Sequence, residues 1–294
     1  MARLLEDILT RGSAPEQILT DIYRTVSESV RTKLIGTNLV AMRLGPGDIP
    51  GTTLDIVHQT RNSLAVHLVV EGAEIPISTE DTYRYQVRPR KWATRPLVTR
   101  EMVEDSLFAV MERQLKEAGY QMARNLDRNI LLLALRQGSG NTVTGLAAIT
   151  VANIATAIQN LETNDYVFTD MGVGAAVAND LRNIDTFVEA NKAGVNDPSK
   201  SLIGTIFGGK VHQTNNLTSN EGGATNATDA VCLDRDWAMV FAEKRPLTVD
   251  RYNDVTRQLE GIVLSARWDA RTIPDTEQAT APYTSTAISL ITTT

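Results

Sequence analysis

The sequence predicts an α+β fold, on three observations. Two β-branched and aromatic runs, Thr52 to Val70 and Thr82 to Val98, flank a turn-rich connection; a long helical stripe follows; and strand texture returns after a stretch of mixed helix and strand patterns. Composition permits such a fold: 294 residues, 42% hydrophobic and 22% charged, suffice for one large domain or two smaller ones with real cores.

Taken in order, residues 1–35 read as an amphipathic arm. Leu4, Leu5, Ile8 and Leu9 make a short apolar face, broken by Arg11, Gly12 and Ser13. A second helix then starts with Ser13 and Glu16 at capping-box spacing and Pro15 in the first turn. Along it Ile18, Leu19, Ile22, Tyr23, Val26 and Val30 recur at helical spacing. This single stripe fits a neighbouring molecule, with Ile18, Ile22, Val26 and Val30 as the candidate contacts. A surface helix packed on its own domain fits it equally well.

The two extended runs read as a long hairpin. Its connection carries Glu71, Glu74, Glu80 and Asp81 together with Gly72 and Pro76, as a solvated tip requires, and the returning strand is basic at Arg84, Arg88, Arg90, Lys91 and Arg95. An isolated hairpin is at best marginally stable in water, so this one must lean on something. From Thr99 to Arg136 the apolar stripe Met111, Leu115, Ala118, Met122, Leu126, Ile130 and Leu133 predicts a helix, with Arg113, Lys116, Glu117, Arg124 and Asp127 facing away. Its length would be on the order of 55 Å, that of a strut. Gly138, Ser139 and Gly140 end it.

Residues 141–235 alternate helix and strand patterns, with a strand expected over Tyr166 to Thr169 and a helix over Val173 to Leu181. They read as an inserted α/β domain. Strands return over Trp237 to Glu243 and Val255 to Trp268, the second with Glu260, Ile262, Leu264, Ala266 and Trp268 on one face. Beyond Ile273 the Thr- and Ala-rich tail is expected to be weakly ordered or pinned by a neighbour.

Function classes fall away in turn. A net charge of -6 has the wrong sign for gripping nucleic acid over the whole surface. No apolar run reaches membrane-spanning length, and the start lacks the basic and apolar regions of a signal peptide. The single cysteine, Cys232, reads as a buried spectator, and His58, His67 and His212 are too scattered to bind zinc. Gly172 and Gly174 lack the third glycine of a dinucleotide fingerprint, Val177 standing in its place, and read as turn formers. Phe207-Gly208-Gly209-Lys210 lacks the flanking residues of a phosphate loop and reads as a hairpin turn. No catalytic, cofactor-binding or metal-ligating residue is therefore expected, and the chain reads as a structural protein.

The order of parts, arm, hairpin, strut, inserted domain and closing strands, resembles the Hong Kong 97 fold of tailed-virus major capsid proteins. Local phrases agree. Val69-Val70-Glu71-Gly72-Ala73-Glu74-Ile75-Pro76 resembles that family's hairpin tip, and Leu97-Val98-Thr99-Arg100-Glu101-Met102-Val103-Glu104-Asp105-Ser106 its entry to the spine helix. Ser201-Leu202-Ile203-Gly204-Thr205-Ile206-Phe207 is similar to a strand of its axial domain. Ala242-Glu243-Lys244-Arg245-Pro246-Leu247 and Gly261-Ile262-Val263-Leu264-Ser265-Ala266-Arg267 resemble its closing strands.

The resemblance implies an extended loop at 36–98, a peripheral domain at 99–140 with 236–273, an axial domain at 141–235 and a tail at 274–294. It implies self-assembly into hexamers and pentamers of an icosahedral shell around double-stranded DNA, built in the host cytoplasm. Scaffold, portal and cement proteins would be partners, DNA would be met only by weak non-specific contact, and no membrane would be involved. The acidic tip Glu71, Glu74, Glu80 and Asp81 would then face basic residues of an adjacent subunit, the alternative being a merely solvated turn. Two departures matter. No lysine lies between Gly36 and Arg90, so lysine-to-asparagine cross-linking in the loop is not expected, and the short arm implies a separate scaffold protein unless the sequence is a processed form. An encapsulin-type compartment enclosing cargo enzymes is the competing expectation.

Overall fold

The structure is a computed structural model that describes residues 35–60, 64–80, 82–99, 110–137, 141–146, 148–184, 202–214, 216–217, 229–254, 256, 259–275 and 285–293. Ile18, Ile22, Val26 and Val30 of the arm lie outside the described residues, as does Asp81.

Two large sheets organise the described residues. The first is built on a long antiparallel pair, β11 (Met239–Asp254) and β12 (Leu259–Thr272), in register from Met239 opposite Thr272 to Asp254 opposite Leu259. The register shifts around Arg245, where Pro246 cannot donate to the ladder. β1 (Met42–Leu44) adds in parallel to β11, while β4 (Arg90–Thr94) and β5 (Leu97–Thr99) add antiparallel to β12. On the face of this sheet shared by Ile262, Leu264, Ala266 and Trp268 lies helix α1 (Val110–Gln137), which buries Leu115, Ala118, Ile130 and Leu131. Trp92 of β4 stacks on Trp268 with ring centroids 4.9 Å apart and planes 14° from parallel. The face expected of β12 is thus the face the helix covers.

Of the helix expected over Thr99 to Arg136, Thr99 itself belongs to strand β5, residues 100–109 lie outside the described residues, and the described helix α1 is 28 residues spanning about 42 Å. Asp127, expected to face away, is fully buried.

The second sheet has six strands in the order β6-β13-β10-β7-β9-β8. They are β6 (Thr142–Leu146), β7 (Asp170–Val173), β8 (Leu202–Ile206), β9 (Gly209–Gln213), β10 (Asp229–Leu233) and β13 (Ile288–Thr293). Helix α2 (Val151–Glu162) is capped by Thr150, whose side chain accepts from the Asn153 amide, and packs Ile154, Ala157, Ile158 and Leu161 into the core at helical spacing. Helix α3 (Ala175–Arg182) follows Gly174 and buries Val177, Ala178 and Leu181.

Several expectations shift here. The strand expected at Tyr166 to Thr169 lies at β7, four residues on, and Gly172, expected in a turn, sits inside it. The turn at Phe207 and Gly208 is a hairpin turn, both residues having positive φ, 47° and 86°. Gly209 follows because a Cβ there would lie 2.2 Å from the Phe168 ring. The largest correction concerns the tail. Ile288–Thr293 is no loose end: it lies inside this sheet between β10, with which it pairs antiparallel, and β6, with which it pairs parallel, and Ala287, Ile288 and Ile291 are fully buried.

The two sheets share a core. One apolar cluster runs from Ala266 and Trp268 through Ile130, Leu131 and Met239 to Val231, Leu233, Ile288 and Leu290. Cys232 is buried beside it, and burial pushes its thiol up to about 12, so it is an unreactive spectator.

Asp229, at the start of β10, is 3% exposed, and burial pushes its carboxyl up to about 6. The folded chain therefore resists ionising it. Its cost to stability is absent at low pH, grows as pH rises from the ordinary carboxylate range toward about 6, and is complete above that. Asp229→Asn is expected to melt higher than the parent at about pH 8, by an effect worth up to about 3 kcal/mol, with the gap closing toward about pH 4. Equal melting at both pH values would mean that the carboxylate stays hydrated.

Candidate functional site

The hairpin expected over Thr52 to Val98 is only partly a hairpin. β2 (Leu54–Gln59) and β3 (Thr82–Val87) form a six-residue antiparallel ladder, Leu54 opposite Val87 and Gln59 opposite Thr82. Beyond it Pro89 ends the ladder, the Arg88 amide donates to the Asp269 carboxylate, and the chain enters the first sheet as β4. The basic residues Arg90 and Lys91 therefore belong to that sheet and not to the returning arm of the hairpin.

This base leans on its own domain. Tyr83, Tyr85 and Val87 pack with Ile49, Val240, Ala242 and Ile273 on the sheet face opposite α1. The Tyr83 hydroxyl donates to the Pro274 carbonyl and lies 3.2 Å from His58 Nδ1, while the His58 ring meets Trp237 edge-on at 5.5 Å. Burial, reinforced by the charge of Asp275, pushes the Tyr83 hydroxyl up to about 12, so it stays a proton donor across the physiological range. Asp275 itself accepts from the Tyr166 hydroxyl at 2.6 Å and from the Thr286 amide. Loop base, second sheet and the approach to β13 are tied at this one point.

Among the described residues the distal loop leans on nothing in its own subunit. Leu64 is 57% exposed, Val66 99%, Leu68 102%, Val70 77%, Ile75 74% and Ile77 91%. The alternate spacing of Leu64, Val66, Leu68 and Val70 puts these aliphatics on one side of an extended chain. At the end of the loop Gly72, with φ of 81°, allows a tight turn in which the Ala73 amide donates to the Val70 carbonyl at 3.0 Å. The Ser78 hydroxyl donates across the loop to the Ala65 carbonyl at 2.8 Å. Glu71, Glu74 and Glu80 are exposed around this turn. Sequence reasoning singled out the carboxylates; the aliphatics beside them, read there as strand texture, are the stronger feature. Solvated aliphatics in a row along unpaired backbone mark an association surface.

A second site is internal, and sequence reasoning missed it. The Asp127 carboxylate on α1 accepts from the backbone amides of Ile35, at 3.0 Å, and Gly36, and from the Asn216 side chain at 2.7 Å. A weaker contact comes from the Thr214 hydroxyl at 3.4 Å. Donors from two segments about 90 residues away in sequence thus satisfy a buried charge. Gly36 suits the place, because a Cβ there would crowd the Asp127 carboxylate at 3.0 Å and the Ile130 side chain at 3.1 Å.

Among the described residues no group of three or more His, Cys, Asp or Glu side chains is placed to hold a metal ion. No helix among them is long and apolar enough to cross a membrane.

Against solved structures the whole architecture finds its match. One such structure is the capsid of the cyanophage P-SCSP1u, 12% identical with a TM-score of 0.65, covering 90% of this chain and 89% of that one. Another is the mature capsid of bacteriophage PhiM1, 14% identical with a TM-score of 0.62, covering 90% and 86%. A third is the capsid of a native GTA particle, 13% identical with a TM-score of 0.60, covering 88% and 89%.

The chain has the Hong Kong 97 fold.

No protein-family model matches the sequence, and no curated protein is significantly similar to it.

Proposed function

We propose that this chain is a major capsid protein, assembling with copies of itself into hexamers and pentamers of an icosahedral shell around the double-stranded DNA of a tailed virus. One observation carries the reading: six aliphatic side chains of the extended loop stand in solvent in the isolated subunit. A monomer gains nothing from them. In a closed shell the same contact recurs at every subunit, and symmetric repetition turns modest contacts into a stable particle. The similarity of fold to phage and GTA capsid chains supports the same reading.

On this reading the role is structural and not enzymatic, and the assembled protein belongs to the virion capsid, built in the host cytoplasm. The arm with Ile18, Ile22, Val26 and Val30 is a further intersubunit contact. The domain division follows the sheets, with the axial part taking in β13 besides residues 141–235. Scaffold, portal and cement proteins complete the partners. DNA contact is weak and non-specific, in keeping with a net charge of -6.

Negative-stain imaging of the purified chain is the test. Closed particles or ring-shaped capsomers are expected, and their boiled subunits should run as monomers near 32.1 kDa, because the loop carries no lysine to cross-link. Absence of any particle across assembly conditions would overturn the shell reading. Particles purified from the native source that hold enzyme cargo in place of DNA would overturn the genome.

A further inference from the structure

Between α1 and the edge strand β4 lies a cleft of about 340 Å³, away from the extended loop. Small-molecule sites run from roughly 300 to 1,000 Å³, so this one has room for a single small ligand. Arg124 and Arg128, one helical turn apart on α1, line it with Gln121 and Asn125 beside them, and Trp92 and Thr94 of β4 stand opposite. Among the described residues no carboxylate lines it. Strand alternation puts exposed Arg90 on the Trp92 face of β4, which adds a further positive charge nearby. The cleft is cationic.

Its donors are held in place. Arg124 Nε donates to Asn216 Oδ1 at 3.2 Å, and the Asn216 amide donates to the Asp127 carboxylate at 2.7 Å, so a buried anion positions the guanidinium without neutralising it. Among the described residues no group accepts from the two Nη groups of Arg124. Stacking on Trp268 fixes the Trp92 ring, and its Nε1–H is buried with no acceptor among the described residues. A buried donor left unpaired costs stability, and native proteins keep few of them. Gln121 donates one N–H to Glu117 at 2.6 Å and keeps its carbonyl oxygen as an acceptor. Asn125 commits its carbonyl oxygen to the Asn129 amide at 2.8 Å and keeps its NH2 as a donor. The rim thus offers an acceptor and a donor one turn apart.

We propose that this cleft binds a phosphate monoester of mononucleotide size, with Arg124 and Arg128 holding the phosphate and Gln121 and Asn125 meeting the polar edge of the body that carries it. Two guanidinium groups with no carboxylate between them match the charge of about −1.5 to −2 on a phosphate monoester better than the single charge of a carboxylate. Each guanidinium fork also fits two phosphate oxygens at once, and the indole N–H supplies a further donor. Duplex DNA presents its phosphates on a rod too broad for a cleft of this volume, and a chain of net charge -6 offers it no long cationic track. Bound here, the ligand ties α1 to the edge of the first sheet and stabilises the folded subunit by mass action. This inference does not depend on the shell reading.

Scanning fluorimetry and isothermal titration of the full chain test it with adenosine 5′-monophosphate, adenosine and inorganic phosphate. The nucleotide should raise the melting temperature and saturate at one per chain, adenosine should do neither, and inorganic phosphate should bind about tenfold more weakly than the nucleotide. Arg124→Gln with Arg128→Gln should lose about tenfold or more in affinity for the nucleotide. Trp92→Phe keeps the stacked ring, removes the N–H and should weaken binding severalfold, which covers the case in which the arginine variant does not fold. Lys91→Gln, on the other face of β4, should bind like the parent. No response to the nucleotide, an equal response to adenosine, or parental binding by the arginine and indole variants would overturn the site. Binding of a thymidine oligonucleotide or of an acidic peptide, without binding of the mononucleotide, would overturn it in favour of a single strand or a protein partner. Particles from a parent chain that ignores the nucleotide would overturn the cleft and leave the shell reading intact.

Discussion

Replacing Val66, Leu68 and Ile77 together with serine is expected to leave the subunit folded and to abolish particle formation at concentrations where the parent assembles. All three side chains are almost fully solvated in the isolated subunit. Exposed substitutions of this kind usually move stability by no more than about 0.5 kcal/mol, so the melting temperature should barely change. If the loop is clamped on a neighbour, each aliphatic contributes about 1.5 to 3 kcal/mol when buried. Losing even about 4 kcal/mol weakens one contact by roughly a thousandfold. Sedimentation or light scattering at several protein concentrations would measure this, with the unmodified chain alongside. A triple variant that assembles at the parental concentration would remove the loop from the interface.

Asp127→Ala is the second large effect, and it strikes the subunit itself. The substitution leaves the amides of Ile35 and Gly36 and the side chain of Asn216 buried without their acceptor. Unsatisfied buried donors cost about 1 to 3 kcal/mol each, so a loss of about 3 to 5 kcal/mol is expected even with some rearrangement. For a chain of this size that lowers the melting temperature by roughly ten degrees. Asp127→Asn should lie between, because its amide oxygen still accepts while its NH2 group faces other donors. Scanning fluorimetry of the soluble chain, with proteolysis near residue 36, would follow both the melting and the release of the junction. A wild-type melting curve for the alanine variant would show that water can replace the carboxylate.

Asp127 also shows where sequence reasoning stopped. Periodicity located the helix, its apolar stripe and most of its exposed face, because those depend on neighbours three and four residues away. A carboxylate among the polar positions gave no sign of burial, since its partners at Ile35, Gly36 and Asn216 come from distant segments. β13 was illegible for a related reason. Ile288–Thr293 is a run of only six residues within a Thr- and Ala-rich stretch that reads as tail by composition, and only pairing with β10 and β6 makes it core. The loop failed in the opposite sense. Its alternating aliphatics signalled strand correctly as extended chain, but a ladder needs a partner in register, and within the subunit the ladder stops at Gln59 and Thr82. The order of the larger parts survived these local errors because each part is announced by its own short-range pattern.

The position of β13 has a consequence for how such a subunit is made. Its neighbours in the sheet are β6, which begins at Thr142, and β10, which ends at Leu233. The place between β6 and β10 stays empty until the ribosome has added residues 288–293, however early the flanking strands emerge. Closing contacts so distant in sequence is slow, and until then the apolar edges of β6 and β10 are open. The exposed loop, by contrast, is synthesised near the beginning. A nascent chain thus carries its adhesive segment long before it owns a finished body, so polysomes translating this protein are where premature clustering is most to be feared.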